Sequence, residues 1–121
     1  ANAVANDATL VVTQKTDSAA DDVTITLDAI AAGEGLASLS VANAETLTLS
    51  ADDDTTDGTG TLTIASLTAT DATTINISGD SALTITTAVN PTTAVLATLN
   101  AGTMTDALTL SGTFFYRKIK E

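Results

Sequence analysis

The sequence predicts an all-β protein, a right-handed parallel β-helix (solenoid) of about four irregular coils, and three observations carry that expectation. First, apolar residues alternate with Thr, Ser or Asn in Val23-Thr-Ile-Thr-Leu27, Leu47-Thr-Leu49, Leu62-Thr-Ile64, Ile75-Asn-Ile77, Leu83-Thr-Ile85 and Leu108-Thr-Leu110. This is the period of two of a half-buried strand, and the β-branched Thr is stiff at χ1 in a way that favours strands. Second, a two-box unit recurs. Leu36-Ala-Ser-Leu39 leads to Thr46-Leu-Thr-Leu-Ser-Ala51, Ile64-Ala-Ser-Leu67 to Thr74-Ile-Asn-Ile-Ser-Gly79, and Leu96-Ala-Thr-Leu99 to Ala107-Leu-Thr-Leu-Ser-Gly112. Repeats of this length mark units that bury their apolar face only by stacking on neighbours. Third, hydrophobic residues make up 44% of the chain, yet only two Phe and one Tyr are aromatic. A core of small aliphatic side chains suits thin, regular layers. The competing fold is a β-sandwich, because the same strands with Gly/Asp turns also suit antiparallel pairing.

Residues 1–8 lead in, and Thr9-Leu-Val-Val-Thr13 reads as the first strand. Gln14 to Asp22 is polar, after which Val23 to Leu27 resumes the alternation; Ala29 to Gly35 is either a helical turn or a strand connection. The repeat units fall near residues 23–35, 36–63, 64–95 and 96–112, within one solenoid domain spanning 1–113. One limb of the unit is nearly fixed, at eight residues from Leu39 to Leu47 and from Leu67 to Ile75, and nine from Leu99 to Leu108. The other grows, from nine residues (Leu27 to Leu36) to fifteen (Leu49 to Ile64) to nineteen (Ile77 to Leu96), and holds Pro91. Stacking these units in phase puts Leu49, Ile77 and Leu110 in one interior column and Leu39, Leu67 and Leu99 in another. Residues 114–121, Phe-Phe-Tyr-Arg-Lys-Ile-Lys-Glu, differ in composition and read as a cap or an artefactual tail.

The net charge is −11, and residues 1–113 carry fourteen acids against the single base Lys15. Nucleic acid is excluded as a partner, since phosphate binding needs a basic surface. Without Cys or His there is no disulfide, usual zinc site, thiol nucleophile or His-based triad. The repeat region has no Arg and no Tyr or Trp to stack on a sugar, so no catalytic activity is expected. No apolar run is long enough for a membrane-spanning helix. The opening residues lack a Met and a signal-peptide pattern, so the chain is expected to begin within a longer protein or after processing.

Candidate chemistry concentrates at Asp52-Asp-Asp-Thr-Thr-Asp-Gly-Thr-Gly60. Several carboxylates with hydroxyls and glycines suit Ca²⁺, which takes six to eight oxygens from a loop that can fold around it. Asp52, Asp53, Asp54 and Asp57 are the candidate ligands, with Asp80 of Gly79-Asp80-Ser81 as a further one. The spacing lacks the terminal bidentate Glu of an EF-hand, and a solvated acidic turn accounts for the same residues. Glu45, Asp71 and Asp106 are expected in the near-fixed limb, as an acidic ladder or as exposed turns.

The boxes Thr-Leu-Thr-Leu-Ser-Ala, Thr-Ile-Asn-Ile-Ser-Gly-Asp-Ser-Ala-Leu-Thr-Ile-Thr and Ala-Leu-Thr-Leu-Ser-Gly, in an acidic Cys-free chain, resemble the β-solenoid part of bacterial surface-layer proteins and of large secreted proteins of the repeats-in-toxin type. The resemblance covers residues 23–112 and is compositional, for the Gly-Gly-x-Gly-x-Asp nonapeptide is missing. It implies a secreted or cell-surface structural segment that self-associates into a lattice or filament and uses Ca²⁺. The alternative is an adhesin-type module recognising a glycan or a host protein.

Overall fold

The structure, a computed structural model, describes residues 8–89 and 98–111. Ten strands follow in order: β1 (Thr9–Thr13), β2 (Asp22–Ala29), β3 (Glu34–Leu36), β4 (Ser38–Ala42), β5 (Thr46–Asp53), β6 (Thr61–Ala69), β7 (Thr74–Gly79), β8 (Ala82–Val89), β9 (Thr98–Met104) and β10 (Leu108–Leu110). There is no helix among the described residues. One sheet runs β1-β4-β6-β8-β10, with β3 beside the first half of β6, and the other runs β2-β5-β7-β9. All the pairings are parallel. Each coil therefore contributes one strand run to each sheet, and about four coils stack as a β-solenoid, not a sandwich.

Alternation decides which side chains turn inward. Along β5 the pattern is half-buried, buried, half-buried, buried, with Leu47, Leu49 and Ala51 inside. Parallel register then stacks like on like: Val23, Leu47, Ile75 and Leu99 form one column, Ile25, Leu49 and Ile77 the next. In the facing sheet Leu10 lies on Leu39 and Leu67, while Leu36, Ile64, Ile85 and Leu110 make a separate column. Leu47, Leu49, Leu62, Ile64, Ile77, Leu83 and Ile85 are all but sealed from solvent. Each such side chain contributes about 1.5–3 kcal/mol of transfer free energy, so the columns supply most of what holds the coils together.

The expected columns are half right. Leu49 and Ile77 stack, as do Leu39 and Leu67. Leu110, however, pairs with Ile85 in the opposite sheet, and Leu99 pairs with Ile75. The third unit is out of phase because Leu83-Thr-Ile85 occupies the level of Leu62-Thr-Ile64, so the limb after Ile77 closes in a tight turn instead of growing to nineteen residues. Gly79 makes that turn possible. Its φ is +118°, and a Cβ there would collide with the backbone of Ala51, so the chain can reverse against the coil above only without a side chain. Leu96-Ala-Thr-Leu99 resembles the earlier boxes in residue type, but its last two residues open β9, where Thr98-Leu-Asn100 lies beside Thr74-Ile-Asn76. Leu96, Pro91 and the tail at 114–121 lie outside the described residues.

The last strand of the second sheet is irregular. Asn76 faces Asn100 but Ser78 faces Thr103, which is a one-residue bulge. A bulge at a sheet edge interrupts the row of unpaired backbone groups that would otherwise template further pairing. Outward side chains are Thr, Ser and Asn, and Asn100 donates to Asn76 Oδ1 at 2.9 Å.

Candidate functional site at the acidic corner

The two sheets meet at two corners, and the candidate metal residues gather at the one where the second sheet passes back to the first. Strand β5 carries Asp52 and Asp53 at its end, in register with Asp28 and Ala29 of β2. The chain then leaves as Asp54 to Gly60 before entering β6. One coil on, Gly79-Asp80-Ser81 makes the same passage, and Asp80 reaches up so that its Oδ1 accepts the Asp53 N–H at 2.9 Å. Asp52, Asp53, Asp54 and Asp80, with Gly79, Thr103 and Thr105, line one open groove. The structure thus brings together four of the five predicted residues. Asp57 is not part of that lining; its carboxylate accepts the Thr59 hydroxyl at 2.7 Å.

The loop is closed by its own donors. Asp53 Oδ1 accepts both the N–H (2.7 Å) and the hydroxyl of Thr55, and Oδ2 accepts the Gly60 N–H at 2.9 Å. Those Thr55 bonds, the hydroxyl first, hold the Asp53 carboxyl below the usual carboxylate range, with Gly60 adding to the effect against the cost of burial. The Thr59 hydroxyl does the same to Asp57. Thr55 Oγ1 in turn accepts the Thr59 N–H at 2.9 Å, and Ser50 donates to Asp52 at 2.7 Å. Ser81, the one buried polar residue among those described, is satisfied by the Gly60 carbonyl at 3.2 Å.

Among the described residues no three acidic side chains are arranged to hold a metal ion. Asp52, Asp53 and Asp57 each accept a bond from a neighbouring hydroxyl. These bonds close the long turn from Asp54 to Gly60. Two residues of the groove, Thr103 and Thr105, escaped the sequence reading because the bulge in β9 displaces them by one position. Asp28 also escaped, because Thr24-Ile-Thr-Leu-Asp28 aligns in sequence with Thr46-Leu-Thr-Leu-Ser50, whereas the register sets it beside Asp52.

The other corner, where the first sheet passes to the second, is short in its middle coils, at residues 43–45 and 70–73 after an eight-residue bend at 14–21, and carries Glu45 and Asp71. Asp106, expected with them, lies instead at the acidic corner between β9 and β10, where its Oδ1 accepts the Ala107 N–H at 2.7 Å; the phase slip of the third unit explains the misplacement. Glu45 Oε2 accepts the Asp21 N–H at 2.8 Å, and Asp71 Oδ2 accepts the Asn43 N–H at 2.9 Å. Both are bonds from one coil to the coil above. Ala44 and Ala72 are buried in the bend itself.

Comparison with family models, with curated proteins and with solved structures finds no match. No described helix is long and apolar enough to cross a membrane.

Proposed function

We propose that this chain is a structural segment of a secreted or cell-surface bacterial protein, a stiff coil stack that associates with its own kind. The observation that supports this reading most is where the side chains go. The large aliphatic residues are spent in interior columns, while both sheet exteriors present Thr, Ser and Asn in register. Such a body offers length, stiffness and repeated polar surface. The placement outside the cell rests on the resemblance of the repeat boxes to surface-layer and repeats-in-toxin proteins.

The test is association under concentration. Sedimentation and negative-stain microscopy of the protein from micromolar to millimolar concentration should reveal filaments or sheets with a repeat set by the coil stack. A monomer at every concentration that binds on a glycan array would favour the adhesin alternative instead.

A further inference from the structure

The short corner joins successive coils through side-chain carboxylates. Main-chain bonds also cross there, from Glu45 and Thr46 N–H to the Asp21 carbonyl and from Thr73 and Thr74 N–H to the Glu45 carbonyl. Alongside them, the Asp21 N–H is taken by Glu45 Oε2 of the next coil and the Asn43 N–H by Asp71 Oδ2 of the one after, the latter also accepting the Thr70 hydroxyl at 3.0 Å. Asn43 is the one non-glycine residue at positive φ (60°) among those described. It is gripped at both ends, its N–H by Asp71 and its side-chain amide by the Gln14 carbonyl at 3.1 Å. In the first coil Asp21 closes its own turn, accepting the Ser18 N–H at 2.8 Å and the Ser18 hydroxyl at 2.6 Å. Three carboxylates therefore tie three successive bends, and a hydrogen bond to an ionised acceptor is roughly twice as strong as a neutral one.

We propose that this corner is an acid-sensitive latch between coils. Ionised Glu45 and Asp71 fasten each bend to the one above, and acidification weakens these charge-assisted bonds and frees the bends while the strand ladders still hold the coils.

Among the described residues, the bends of this corner and their ends carry Asp17, Asp21 and Asp22 with Lys15 in the first coil, Glu45 in the second and Asp71 in the third. Crowded acids repel one another, so protonation also relieves a strain. The bonds win that contest because they act at contact, at 2.8 and 2.9 Å, whereas the exposed charges are screened over a Debye length of about 8–10 Å. The Ser18 bonds that hold the Asp21 carboxyl below its usual range act in the same direction. This latch does not depend on the structural role proposed above.

Amide hydrogen exchange followed by NMR on the whole chain, expressed as protection factors corrected for intrinsic exchange, tests it between pH 7 and pH 3.5. The Asp21 and Asn43 amides should lose about threefold or more in protection on acidification, while the Leu47, Leu49 and Ile77 amides change less than twofold. Glu45→Gln and Asp71→Asn, which keep shape and an acceptor oxygen, should flatten the pH dependence at Asp21 and Asn43 respectively. Unchanged protection at those two amides, or a fall shared equally with the ladder amides, would overturn the proposal.

Discussion

The two corners of the solenoid are made of the same residue types, Asp, Glu, Thr and small residues, yet behave differently. At the short corner the bends carry their carboxylates to the backbone of the neighbouring coil, so Asn43 answers to Asp71 and Asp21 to Glu45. The bends at 43–45 and 70–73 differ by one residue, and the pairings Leu39 with Leu67 and Leu47 with Ile75 repeat at one spacing, whereas the bend at 14–21 has eight residues. At the acidic corner Asp53 closes its loop mainly on itself, through Thr55 and Gly60. That loop can be long, as from Asp54 to Gly60, or shrink to Asp80 and Ser81 between β7 and β8. The lesson is that a bend's carboxylate can reach the neighbouring coil, as at Glu45, Asp71 and Asp80, or close its own loop, as at Asp53.

The largest expected effect lies away from either corner, and it calibrates the rest. Ile77→Asp places a carboxylate in a sealed column with no partner, and it should cost at least about 4 kcal/mol and unfold the stack in a urea titration. Asn76→Asp, one residue away on the outer face, loses only its long donation to Thr48 and should cost below about 1 kcal/mol.

Gly79→Ala comes next, at about 2–3 kcal/mol, because it combines a positive φ with a collision against Ala51. Its measurement by thermal melting separates the tight acidic-corner turn from the long one, where Gly58 also has a positive φ but open space around it.

An insertion series sharpens the contrast further. Four residues added between Asp57 and Gly58 should cost below about 1 kcal/mol, since doubling a loop costs only about 0.6 kcal/mol. The same four between Ala44 and Glu45 would displace Glu45 from Asp21 and from the Thr73 and Thr74 N–H groups, and should cost several times more.

Acidification is expected to act most gently. Asp21, Asp53 and Asp57 have carboxyls held below their unfolded values by hydrogen bonds, first of all from the hydroxyls of Ser18, Thr55 and Thr59. Their contribution is therefore present above the unfolded carboxylate range and is lost as the pH falls through the lowered folded values. Melting temperatures should stay flat from pH 7 to about 5 and decline below about 4; a rise on acidification would mean that charge repulsion dominates.

The strands and their inward faces were legible because alternation is a local signal, and every alternating stretch from Val23-Thr-Ile-Thr-Leu27 to Leu108-Thr-Leu110 became part of a strand with its large apolar residues buried or half-buried. Register in the third unit was not. Leu96-Ala-Thr-Leu99 matches the earlier boxes in residue type, but phase depends on how tightly the preceding turn closes, and that rests on a single glycine whose φ no composition reveals. The acidic cluster was legible as a cluster, because Asp52 to Asp57 are contiguous and Asp80 follows a repeat box. Where each carboxylate would spend its oxygens was not, since Thr55, Thr59 and Ser50 compete for them only once the loop is folded. The Glu45 and Asp71 bonds join residues 24 and 28 positions apart, a relation that appears only when coils are stacked.

The phase of the last coil tests the stack most directly. Backbone amide and Hα contacts measured by NMR on uniformly labelled protein should link Thr84 to Thr63 on one side and to Thr109 on the other, with Asn100 beside Asn76. Contacts placing Thr109 beside Asn76 instead would restore the in-phase repeat and contradict the two-sheet register described above.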